Sequence, residues 1–250
     1  MIDESIIHRN AIASDFRSYA DRDYIAARTL FRNQCLDQFL TLAHQSIEKY
    51  LKSILLYNGV KVPRNATGNQ WHELEYLYNL CKSNIPSFNI YKECLDLVKN
   101  LSVYNFVRYP DFPFYAKRSW LLVLDELVWQ LRFFSCSDTQ RINHFIKKIG
   151  WKKLEENTAN NSANYFTNGY LEGILKDKSS KHHIERGNLV WKNLYFGKVK
   201  KKSIMFKQGF WSKNNHLFAC SKEEQKNVYN AVKDYLYFTS AARKYFESIK

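Results

Sequence analysis

Glycine and proline are scarce, at 8 and 4 in 250 residues. Few breakers and few positive-φ positions argue against a chain of many tight turns and favour long helices. No apolar run approaches the roughly 20 residues a membrane span needs, so no membrane partner is expected. The five cysteines, Cys35, Cys81, Cys94, Cys136 and Cys220, are scattered, and no pair has the two-residue spacing of a zinc knuckle or redox motif. They are expected as buried free thiols in a reducing cytoplasm. His182-His183 lacks a third ligand at metal spacing, and neither a metal nor a cofactor is expected. There is no phosphate-cradling glycine loop and no glycine-flanked serine nucleophile, so ordinary enzyme chemistry has no motif here. The first residues carry acids at Asp3 and Glu4 rather than a basic stretch followed by an apolar one, so no secretory signal is expected.

What is present is a large apolar and aromatic content. Hydrophobic residues make up 45% of the chain, with 17 Tyr, 17 Phe and 6 Trp, enough for a sizeable core and too much for a disordered chain. The charge is +14 and uneven. Residues 1–135 hold 16 Lys and Arg against 14 Asp and Glu, a net of +2. Residues 136–250 hold 22 against 10, a net of +12. That asymmetry points either to an anionic partner for the second half, nucleic acid before membrane, or to a generally basic soluble surface.

Apolar spacing predicts helices over 16–32 and 34–57, the second stopped by Asn58-Gly59, where a positive φ is tolerated. A polar loop follows to Gln70, then a short helix over 72–82 and another over 88–102. Pro110 and Pro113 forbid a regular helix around them, and 115–134 reads as a strongly apolar helix. Ser137 with Gln140 and Ser221 with Glu224 match capping boxes opening two later helices, with a short helix near 165–175 between them. Clustered aromatics over 187–218 suggest two or three short strands. The fold class expected is mainly α: an antiparallel helical bundle over 15–135, followed by a smaller α+β or α-helical region over 136–250.

Three segments carry a family resemblance. His44-Gln45-Ser46-Ile47-Glu48-Lys49-Tyr50-Leu51-Lys52 is similar to a Gln-x-x-Glu-Lys-x-x-Lys stretch of the HEPN domain family. Trp71-His72-Glu73-Leu74 resembles that family's His-x-Leu helix start. Leu101 to Asp111, containing Arg108-Tyr109-Pro110-Asp111, resembles its Arg-Tyr-Pro-Asp segment. The resemblance implies a four- to five-helix bundle that often dimerises, with members in toxin–antitoxin, defence or RNA-cleaving systems, often beside a nucleotidyltransferase. Its cleaving branches carry Arg, four to six residues, then His. Arg108 matches the Arg, but Tyr109 to Tyr115 contains no His, so the catalytic pair is incomplete.

Cleavage through a ribose 2′-hydroxyl needs a base near neutral pKa and a cation on the phosphorane, tasks suited to His and Arg. Arg108 is therefore a candidate, either as an anion-binding group or as a latch bonded to Asp111 and loop carbonyls. His44, Glu48 and Lys52 fall at i, i+4 and i+8 and share one helix face. They form either a solvated stripe or a polar patch meeting Arg108 and His72, with His44 the candidate substitute for the missing histidine. Lys198, Lys200, Lys201 and Lys202 lie between Tyr195 and Phe206. Such interleaving suits a phosphate track with stacking platforms, or else a charged turn between strands with core aromatics.

The expectation is a HEPN-type RNA- or nucleotide-binding protein, homodimeric and without strong catalysis. The alternatives are a divergent endoribonuclease using Arg108 with a non-adjacent His, and a structural module pairing with a nucleotidyltransferase.

Overall fold

The computed structural model describes residues 4–61, 70–103, 114–136, 169–177, 179–196, 210–213, 221–234 and 240–249. Its frame is a hairpin of two long helices, α1 (Glu4–Arg32) and α2 (Leu36–Tyr57). Ala13, Ala20 and Ala27, fully buried at seven-residue spacing, give α1 a smooth stripe. α2 comes close enough for Ser46 Oγ to donate to the Ala20 carbonyl at 2.9 Å and Ser53 Oγ to the Ala13 carbonyl at 2.7 Å. Seven residues forward on α2 meet seven residues back on α1, which fixes the antiparallel register.

Both helices end with a left-handed residue. Gln34 (φ 63) follows α1, and the Cys35 N–H returns to the Leu30 carbonyl. Gly59 (φ 66) follows α2, with the Val60 N–H on the Leu55 carbonyl, so the stop expected at Asn58-Gly59 takes the conformation glycine permits. A Cβ on Gly59 would lie 3.1 Å from the Arg9 guanidinium, which lies across this end.

A 3-10 turn (Gln70–His72) leads into α3 (Leu74–Asn84), and α4 (Lys92–Val103) follows. α5 (Trp120–Phe134) is the most deeply buried helix, its Leu121, Leu124, Leu127, Val128 and Leu131 wholly enclosed. Burying each such side chain contributes roughly 1.5–3 kcal/mol before entropy is counted. The helix starts later than the periodicity suggests. Phe114–Lys117 forms strand β1, and the Ser119 carbonyl accepts the first bonds of α5. β1 pairs antiparallel with β2 (Phe210–Lys213), Phe114 opposite Lys213, and this distant partner overrides the local helical pattern.

Beyond residue 136 lie α6 (Tyr170–Lys176), a 3-10 turn (Ser180–His182), α7 (His183–Val190), α8 (Lys222–Val232) and α9 (Ser240–Ser248). Residues 187–190 are thus helical, and of the strands expected over 187–218 the described residues contain β2. Leu171, Ile174, Leu189 and Phe196 enter the same hydrophobic core as the bundle. α8 opens on the expected box: Ser221 Oγ accepts from the Glu224 N–H, and Glu224 accepts from the Ser221 N–H at 2.8 Å. It packs on α9 through stacked Tyr229 and Phe246. The Ser137–Gln140 box lies outside the described residues. No helix among the described residues is long and apolar enough to cross a membrane. The architecture is mainly helical, as expected.

Candidate polar site on the second helix

α2 buries one flank against α1 and turns another toward the 3-10 turn ahead of α3. His44, Glu48 and Lys52, one helical turn apart each, stand on that second flank. Glu48 is the hub. Its Oε1 accepts from Lys52 Nζ at 2.7 Å and lies 3.0 Å from His72 Nδ1, while Oε2 is 3.8 Å from His44 Nδ1. Trp71 completes the group, with Lys52 Nζ 5.4 Å from its ring centroid.

Burial grades across this group. The His44 side chain is 3% exposed, Lys52 7% and Glu48 13%, whereas His72 is 60% exposed. A carboxylate this enclosed is stabilised by the ammonium beside it, and the ion pair is worth more here than on an open surface. The carboxylate in turn orients the His72 imidazole through Nδ1, leaving that ring presented at the surface, and lies within ion-pair reach of His44. The structure thus brings together His44, Glu48, Lys52 and His72. It joins Lys52 to an aromatic face as well as to Glu48.

Arg108 and Asp111 lie outside the described residues, as do Lys198, Lys200, Lys201, Lys202 and Phe206. Tyr195 is described. Its half-buried ring packs on Trp129 at 5.3 Å, and its N–H donates to Asn193 Oδ1 at 2.9 Å. That is the core-aromatic arrangement weighed against a stacking platform. Cys81, Cys94 and Cys136 are buried free thiols, Cys35 is exposed, and burial pushes the Cys81 thiol far up its scale. Among the described residues no group of three or more His, Cys, Asp or Glu could hold a metal ion.

Two buried ionic networks escaped the sequence reading. Arg132 of α5 bonds Asp21 of α1 and grips both Glu172 oxygens of α6, at 2.6 and 2.5 Å. Tyr50 of α2 donates to Asp21, and Arg17 joins with a bond to the Ser135 carbonyl at 3.4 Å. Burial opposes the Arg132 charge, but Asp21 and Glu172 outweigh it, so its pKa lies well above the ordinary arginine value. In the second network fully buried Arg28 pairs with Asp125, which also accepts from Tyr24 Oη at 2.6 Å. Arg28 further donates to the Asn188 carbonyl at 3.0 Å and to that of Trp191. Two positive and two negative groups balance in the first network, one of each in the second. The available signal was spacing: Arg17, Asp21, Tyr24 and Arg28 fall at i, i+4, i+7 and i+11, one stripe of α1.

No curated protein and no solved structure shows significant similarity to this chain. A helical hairpin carrying Gln45, Glu48, Lys49 and Lys52, with His72 brought onto Glu48, holds two of the three segments on which the family resemblance rests. Residues 13–126, spanning α1 through the first half of α5, match the family model of the HEPN domain.

Proposed function

We propose that this protein is a HEPN-type RNA- or nucleotide-binding protein acting in a defence, toxin–antitoxin or stress setting. The HEPN match supports a function related to nucleotides or RNA. The observation that carries the reading is the convergence of His44, Lys52 and His72 on the Glu48 carboxylate. An exposed imidazole backed by a buried ion pair and an indole can contact a phosphate or base without first reorganising.

The test is titration of labelled RNA and of ATP against the parent and His72→Ala. A tenfold or greater loss of affinity in a variant that melts like the parent supports the reading. Unchanged binding removes the cluster from it.

The endoribonuclease alternative is favoured by one specific observation. His72, fixed through Nδ1 on Glu48, is a non-adjacent histidine of the kind that reading requires, with His44 the second candidate and Arg108 the cation. Incubation with RNA should then yield cleavage that His72→Ala and Arg108→Ala each abolish. A homodimer through the bundle helices accompanies either reading, and a nucleotidyltransferase is the candidate protein partner. Light scattering at micromolar concentration should show twice 29.8 kDa, and a 29.8 kDa species alone counts against the dimer.

A further inference from the structure

Arg32 lies in the last turn of α1, exposed, and its guanidinium sits 5.5 Å from the ring centroid of half-buried Trp191. Lys192 places its ammonium 5.4 Å from the same ring. Two cations thus meet one indole, and the backbone there is held from beneath. Lys192 has φ 49, a left-handed conformation that costs a side chain carrying a Cβ. On one side Arg28 holds the carbonyls of Asn188 and Trp191. On the other, fully buried Asn193 donates to Tyr24 Oη at 2.9 Å and accepts from the N–H groups of Tyr195 and Phe196 at 2.9 and 3.1 Å. Buried groups thus over-determine a strained position, and it carries Lys192 to the ring that Arg32 also meets. The Arg32 hydrogen bond goes to the neutral amide Oδ1 of Asn188 at 3.2 Å, which leaves the guanidinium charge uncancelled by that partner.

We propose that Arg32, Trp191 and Lys192 form a phosphate-binding station for single-stranded RNA, the two cations taking successive backbone phosphates and the indole an adjoining sugar or base. This rests on the RNA-binding reading above and adds a contact that α1 and the segment after α7 supply, apart from the Glu48 cluster. Charge complementarity favours it, since the half of the chain that contains Trp191 and Lys192 carries a net +12. A strand is favoured over a free nucleotide because two cations and one partly covered ring enclose little of a small ligand. A strand continues to further contacts.

The experiment is fluorescence anisotropy of a labelled oligouridine 12-mer over a salt series, with thermal melting of every variant. Arg32→Gln with Lys192→Gln should weaken binding at least tenfold and flatten log K against log[salt] by about 1.4, two contacts at ~0.7 each. Lys192→Gly separates function from structure. Relieving the left-handed strain should raise the melting temperature while affinity falls threefold or more. A higher melting temperature with unchanged affinity overturns the station. So does a folded double variant that binds like the parent, and the general RNA reading then survives. A parent that binds no oligouridine overturns both. ATP competing as well as the 12-mer at equal phosphate concentration overturns the strand assignment.

Discussion

Replacing Arg132 with methionine keeps much of the side-chain volume but strands Asp21 and Glu172 inside the protein. Buried ion pairs contribute little net stability against apolar packing, yet removing one partner costs about 3–5 kcal/mol, because a charge is left without compensation. Arg132→Met is therefore expected to lower stability by about that amount in urea melts. Adding Asp21→Asn should recover most of the loss, because Arg17 and Glu172 then remain as one charge of each sign. At Gly169, an added Cβ would sit 2.4 Å from an Arg17 guanidinium nitrogen and 3.1 Å from Glu172 Oε2. Gly169→Ala must push the guanidinium aside, and a loss of about 1.5–3 kcal/mol is expected, the range for a charged hydrogen bond. In an Arg17→Ala background the same substitution should cost little, and a double-mutant cycle measures the difference. These networks were hard to read in the sequence because helical periodicity counts apolar residues. Arg17, Asp21 and Arg28 looked like charges spaced between apolar positions. Their spacing puts them on one stripe of α1, but it does not name Asp125, Arg132 or Glu172, the partners that pair those charges.

At the scale of elements, the α1–α2 hairpin depends on smallness. Ala20 is fully buried where Ser46 bonds its carbonyl. Ala20→Leu should force the helices apart, breaking that bond and costing about 1–3 kcal/mol or more by overpacking, read from denaturant midpoints. Ala20→Gly should be milder, near the ~1 kcal/mol helix-propensity cost. α2 and α1 from residue 16 onward were legible because their apolar stripes run for many turns, and the stop at Gly59 was legible because its chemistry is local. α1 itself begins at Glu4, twelve residues before the helix expected over 16–32, in a stretch whose Ile6, Ile7 and Ile12 are exposed and so trace no buried stripe. β1 was not, because Phe114–Lys117 becomes a strand through Phe210–Lys213, a partner no local window contains. The candidate site divides the same way. That His44, Glu48 and Lys52 share a face follows from the 3.6-residue repeat. That His72 lands on Glu48 depends on where the chain returns after α2, which spacing alone leaves open.

For the molecule as a whole, charge asymmetry leads to the broadest expectation. If residues 136–250 supply most of the RNA affinity, replacing Lys200, Lys201 and Lys202 with Gln should flatten the salt dependence of binding by roughly two units, at ~0.7 per phosphate contact. Anisotropy across a salt series measures it. A triple variant with the parent slope would reduce those lysines to solvated charges.

Arg28 reaches carbonyls of Asn188 and Trp191, some 160 residues further along the chain. Such long-range closures pay loop entropy before any contact rewards them, and they slow folding. During synthesis Arg28 and Asp125 emerge well before the carbonyls that complete Arg28 leave the ribosome. The bundle's last polar contacts therefore form only after most of the chain is made, which leaves an interval in which α1 presents an uncovered flank to chaperones and proteases.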